Sequence, residues 1–347
     1  MKKLSTGGAS SSVYTEFEMG LSTVDKCLKE FCKSVSQSWE LRSTYLRPMT
    51  KADARRVVAR HKEMHGVNGQ LGSLDCTHFP WVSCPAALKG QHQSKEKIPT
   101  IVMESVADYD LWIWFASIGY AGSNSDMVIW EKSPLHNKLV NGDISELDFR
   151  YTIGDDTFEL LYFLTDGIYP ELSRFVKGYQ EPADLDRKRY TKWQESSRKD
   201  VERSYGVLKK KFPILKGIRL YDKEEIISMV ETCIILHNMM VEERMQSGHV
   251  ESDKFYVNDN NDEDNEEGGE IVNDDQTDED EALVQDRNGI EFSWSKNAHV
   301  TPNEERNQGV DREVQNGWSY EQYDALHDHN EHVRLRLAIV KHLKRMY

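Results

Sequence analysis

Apolar residues recur at helical spacing at Leu21, Val24, Leu28 and Phe31, which predicts a helix within residues 15–35 with Ser22 or Thr23 as its N-cap. A second helix is predicted over 50–65, opened by Thr50. From Gly72 the texture changes. "LGSLDCTHFPWV", "IPTIVMESVAD" and "YDLWIWFASIGYAG" are short β-rich runs with Lys, Gly and Pro between them, as consecutive strands require. "SNSDMVIWEKSPLHNKLV" then reads as a helix or turn-helix, and "FELLYFLTDGIYP" as a fourth strand halted by Asp-Gly and Pro170. Helical patterns follow at 184–212 and 222–246, the first ending before Pro213. In the last stretch, 323–347, Val333, Leu337, Val340 and Leu343 line one face of a helix predicted to dock back onto the core. Strand, strand, strand, helix, strand, helix, helix is the order of a mixed sheet with helices packed on it, in the α/β class.

Composition narrows the choices. The 347 residues are 38% hydrophobic and 10% aromatic, enough for a sizeable core. No run of about 18 apolar residues predicts a membrane span. The start, MKKLSTGGASSSVY, has no apolar stretch behind its lysines and does not read as a secretory signal. Cys27, Cys32, Cys76, Cys84 and Cys233 form an odd, scattered set, which suggests a reducing compartment rather than a disulfide framework.

The net charge of −15 is not spread evenly. Residues 1–250 are neutral, with 34 basic and 34 acidic side chains, while 251–281 carry 15 acids against Lys254 alone. Residues 251–285 have almost no apolar content and are predicted to be disordered. Within the neutral part, 186–219 hold 12 Lys or Arg against 4 Asp or Glu, a footprint able to hold phosphates.

Glu202 lies inside that basic stretch, beside the apolar stripe of Val201, Tyr205 and Leu208 in "RKDVERSYGVLKKKFPIL". Asp75 interrupts an apolar strand, where a charge is costly without a partner. Asp166 ends the fourth strand, where Gly167 lets the chain turn and leaves the acid at the sheet edge. A structural role accounts for each acid singly: a hydrogen-bonded turn, an Asp-Gly turn, an i,i+4 helix pair. Converging on one edge, they would make a hard-oxygen site suited to Mg²⁺ or Mn²⁺. Two such ions serve phosphodiester chemistry, and the same helix supplies cations for the backbone, namely Arg198, Lys199, Arg203, Lys209, Lys210 and Lys211.

Other groupings carry less. Cys76, His78 and Cys84 lack a regularly spaced fourth zinc ligand. His237 sits among apolar neighbours and reads as a hydrogen-bonded core residue, and Trp112 and Trp114 read as core. Lys89, Lys95 and Lys97 read equally as backbone contacts or as a solvated hairpin. No Gly-rich loop with Gly-Lys-Ser/Thr appears, which disfavours an NTPase.

Over residues 15–247, with an echo in the final helix, the chain resembles the PIF/Harbinger-type transposases and nucleases derived from them, especially the plant transposon protein branch. The likeness rests on "GSLDCTHFPW", "CPAALKGQ", "KEKIPTIVMESVADYDLWIWFASIGYAGSNSD", "DGIYP", "RKDVERSYGVLKKKFPIL" and "ETCIILHNMM". It implies an RNase H-like fold, a DDE (Asp-Asp-Glu) site of Asp75, Asp166 and Glu202 holding two Mg²⁺ or Mn²⁺ ions, and metal-dependent DNA cleavage in the nucleus. The 35 residues between Asp166 and Glu202 fit the spacing typical of such enzymes. Asp126 and His78 are carried as supporting residues, Asp126 equally readable as a helix cap. Expected partners are DNA, a Myb-like DNA-binding protein of the kind these transposases work with, and a second copy of the chain. The other reading is a catalytically silent domesticated transposase acting as a DNA-binding or scaffold protein. The organisation expected is an N-terminal helical region at 1–68, a nuclease domain at 69–250, a disordered acidic linker at 251–290 and a tail with a docking helix at 291–347.

Overall fold

The computed structural model describes residues 1–7, 18–247 and 324–346, so the expected acidic linker lies outside the described residues. A short helix at Lys2–Thr6 is followed by α1 (Leu21–Gln37), α2 (Trp39–Tyr45) and α3 (Lys51–His65). The α3 start is as predicted: the Thr50 hydroxyl accepts from Asp53 N–H, and Asp53 accepts in return from Thr50 N–H. The α1 start is not. Gly20 precedes the helix, so Ser22 and Thr23 lie inside it, and Leu21 faces solvent while Val24, Leu28 and Cys32 are buried.

The first three strands fall where the apolar runs predict them, as β1 (Gln70–Pro80), β2 (Thr100–Ala107) and β3 (Ile113–Ala121). The next segment is two helices, α4 (Asp126–Glu131) and α5 (Pro134–Val140). They break at Ser133, which caps α5 through Leu135 N–H with Pro134 at its first position. The expected fourth strand is divided. Phe158 ends β5 (Asp156–Phe158), which forms a hairpin with β4 (Tyr151–Ile153), and only Tyr162–Leu164 form β6. Phe158 and Leu161–Leu164 are all buried, so the apolar run reads as continuous although the chain turns within it. The hairpin and β7 (Phe175–Val176) are too short to show a period. The helices α6 (Leu185–Lys211) and α7 (Lys223–Gln246) match the predicted spans to within a residue or so.

The sheet runs β3-β2-β1-β6-β7, with β1–β2 and β2–β3 antiparallel and β1–β6 and β6–β7 parallel. It is a mixed α/β architecture with helices on both faces. One face packs against α1, α6 and α7 through Phe79, Ile101, Met103, Val201, Leu208 and Ile234. The other buries Leu74, Val106, Phe115, Trp130 and Leu135 beneath α4 and α5. Gly69, before β1, has φ 96° and abuts the Tyr151 ring, where a Cβ would sit 2.2 Å from a ring carbon.

The last helix, α8 (His329–Met346), docks on the core as expected, but through a different face. Leu335, Ala338, Ile339 and Leu343 are buried while Val333 and Leu337 are exposed. The helix is apolar on more than one side, and the choice is made by its surroundings: His332 Nδ1 lies 2.9 Å from Leu172 O, and Arg336 stacks on Tyr179. Among the described residues no helix is long and apolar enough to cross a membrane.

Candidate active site

The site is built where α6 lies along β1. Side chains alternate along a strand, so Ser73, Asp75, Thr77 and Phe79 share one face. Each meets α6 in order. The Ser73 hydroxyl donates to Ser197 O at 3.4 Å, and Tyr205 donates to Asp75 O at 2.7 Å while accepting from Ser105 at 2.9 Å. Lys209 Nζ donates to Thr77 Oγ1 at 2.7 Å and lies over the Phe79 ring. These bonds fix the helix in register with the strand. Glu202, almost one turn before Tyr205, therefore comes to rest near Asp75.

Arg198 stands between the two acids. Its Nη1 is 3.4 Å from Asp75 Oδ2 and its Nη2 is 3.1 Å from Glu202 Oε1, one turn along the helix. Asp75 is largely buried, with a side chain 16% exposed, whereas Glu202 is 43% exposed. Burial pushes the Asp75 carboxyl up to about 7, against the pull of Arg198 and the Cys76 N–H, with Glu202 and Asp126 raising it further.

Asp166 lies two residues past the end of β6. β1 and β6 are parallel with Ser73 opposite Leu164, and extending that register two residues puts Asp166 level with Asp75. Its carboxylate is exposed and accepts from its own Gly167 N–H at 2.6 Å. Two of the three acids thus meet, and the third stands just past the neighbouring strand with its side chain turned to its own loop. Among the described residues no group of three or more His, Cys, Asp or Glu is placed to hold a metal ion.

Asp126 is the first residue of α4, but the cap is Ser125. Asp126 instead adds negative field, raising Asp75, Cys76 and the buried Glu104. His78 is on the strand face opposite Asp75, with Nδ1 2.8 Å from Thr100 Oγ1. Cys76 and Cys84 have separate partners, Tyr169 and Pro85 O. The predicted cations divide. Lys199 and Lys210 are exposed, Lys209 is tied to Thr77, and burial together with Arg244 holds Lys211 below its ordinary value. Arg203 pairs with Asp200 at 2.5 Å and stacks on Tyr109.

Sequence reasoning missed Tyr205 as the clamp, taking it only as part of an apolar stripe. It also missed Gln194, whose Nε2 donates to Thr165 O at 2.9 Å and Val176 O at 3.1 Å. The signal available was spacing alone: Gln194, Arg198, Glu202, Tyr205 and Lys209 recur at helical intervals on one face.

A family model described as plant transposon protein matches residues 43–248, a span that contains the whole sheet and all three acids. No curated protein and no solved structure matches the chain.

Proposed function

The chain belongs to the plant transposon protein family, and from that premise we propose that it is a transposase-derived, divalent-metal-dependent DNA endonuclease of RNase H-like fold. The strand order, three antiparallel strands followed by two parallel ones, supports that fold. The observation that carries the function is the convergence of Asp75 and Glu202, from distant parts of the chain, on one positive charge.

The donors fit a hard cation. Asp75, Glu202 and Asp166 offer only oxygen, and the first two already gather around a guanidinium that stands in for positive charge. Asp166 would join them once its carboxylate leaves the Gly167 N–H. Two Mg²⁺ or Mn²⁺ ions, when bound, would activate a water or 3′-hydroxyl and stabilise the leaving oxygen. The chain's residues do the rest. Asp75 on β1 and Asp166 just past the end of β6 would hold the ions, and Glu202 would close the set. Tyr205 keeps the β1 backbone at Asp75 fixed against α6. The exposed Lys199 and Lys210 hold the DNA backbone, and Asp126 supports the site through its charge. The protein acts in the nucleus on DNA, with a Myb-like partner or a second copy of the chain supplying what this site lacks for sequence recognition.

Cleavage of supercoiled plasmid or terminal-repeat DNA with Mg²⁺ or Mn²⁺ tests this. Wild type is expected to cleave and Asp166→Asn to be inert. Cleavage persisting in that variant refutes the site. A wild type that binds DNA without cutting it supports the second reading, a silent scaffold, which the turned-away Asp166 carboxylate favours.

A further inference from the structure

We propose that Arg198 is a built-in counter-ion, which holds Asp75 and Glu202 together before metal arrives, competes with the metal for both, and turns to a DNA phosphate once displaced. The inference rests on the metal-site reading above and adds a competitor to it.

The first ground is how Arg198 is held. Arg42 and Arg174 are tied to backbone as well as to an acid: Arg42 bonds Ser36 O at 2.9 Å as well as Glu231 at 2.8 Å, and Arg174 bonds Leu161 O at 3.1 Å as well as Asp148. Arg198 has no such anchor. Its polar partners among the described residues are Asp75 and Glu202, so whatever takes those carboxylates releases it.

The second ground is geometric. Each acid is met by a different nitrogen of one planar fork, so the guanidinium spans the gap from Asp75 Oδ2 to Glu202 Oε1. A dication using the same oxygens would sit within a few ångströms of that fixed charge. Arginine does not deprotonate in proteins, so it can yield only by moving. The route is short: Arg198 is 19% exposed, and Lys199 beside it faces solvent. A freed guanidinium there matches phosphate geometry.

A plain i,i+4 helix pair predicts something else. Such a pair adds little to stability and has no bearing on metal.

The test is Mn²⁺ binding to the full chain without DNA, read by electron paramagnetic resonance. Weak binding by the acidic segment is common to all variants and is subtracted with Asp75→Asn. Arg198→Gln is expected to bind Mn²⁺ about tenfold more tightly than wild type, since a unit charge at close range is removed. With metal present, it is expected to bind duplex DNA less tightly, with a salt dependence shallower by about one phosphate contact. Should Arg198→Gln fail to fold by circular dichroism, Arg198→Lys serves, because a point charge cannot span both acids; its Mn²⁺ affinity is expected between the two. Equal or weaker Mn²⁺ binding by the variant overturns the counter-ion role and leaves the metal site standing. Absence of site-specific Mn²⁺ binding in both proteins overturns the counter-ion role and the metal site together.

Discussion

α6 and α7 cover the same face of the sheet, yet His237 and Asn238 of α7 and the charged groups of α6 near the site are satisfied in opposite ways. On α7, Asn238 gives its oxygen to Ile113 N–H and both amide hydrogens to the carbonyls of Tyr45 and Ile113. His237 reaches Leu111 O at 2.8 Å. These side chains are spent on backbone and are wholly buried. On α6, the charged groups meet side chains: Arg198 meets Asp75 and Glu202, and Lys209 meets Thr77. A polar group satisfied by backbone holds a fold together, because nothing can displace its partner. One satisfied by a mobile charge keeps its oxygens available. The comparison separates a structural seam from a chemical one within one layer.

The strongest challenge to that division is Asn238→Ala. It leaves three backbone groups without partners, two of them in buried bonds at Ile113, and a loss of about 3 kcal/mol is expected in urea unfolding, with Mn²⁺ binding unchanged. Metal binding that fell in step with stability would blur the two seams. Tyr205→Phe falls between them, since the hydroxyl serves both Asp75 O and Ser105. A loss of about 1–2 kcal/mol is expected in the same experiment, together with weakened cleavage. Thr50→Ala removes a cap far from either seam; about 1 kcal/mol and no change in cleavage are expected. Glu202→Gln marks the small end: a partly exposed i,i+4 pair is lost, so stability should change by less than about 0.5 kcal/mol while cleavage disappears.

The pH dependence of stability sharpens the contrast from the structural side. Burial pulls His237 and His61 down from 6.5 to about 4, so both are neutral in the folded protein. As pH falls below 6.5 the unfolded chain takes up protons that the folded one refuses, so stability is fully present above 6.5 and is lost on the way to about 4. His237→Gln should flatten that slope in urea midpoints measured across the window, and an unchanged slope would show that the histidine is not held neutral.

Much of this was legible in the chain itself. Long segments with a clear period, β1 to β3, α6 and α7, fall where apolar spacing puts them, because burial on one or both faces dictates that spacing. Thr50 with Asp53 announces α3 by its own hydrogen bonds. What was illegible is short or depends on context. Two- and three-residue strands such as β7 and β4 have no period, and the run from Phe158 to Leu164 hides a turn because both of its sides are buried. The spacing puts Val333 and Leu337 on the buried face of α8, yet both are exposed, because that helix is apolar on several sides and its neighbours decide. For the site, the positions of Asp75 and Glu202 followed from the strand and helix they occupy. In the sequence Arg198 reads as a DNA-backbone contact; that it also stands between two acids comes only from the packing of α6 on β1.

The central claim is that Asp75, Asp166 and Glu202 form one metal site. Crystals of the wild type soaked in Mn²⁺ address it directly. Anomalous density bounded by those three carboxylates, with Arg198 moved aside, is the predicted result. Density placed elsewhere on the ordered core, or none there while Asp166 stays on Gly167, would contradict it.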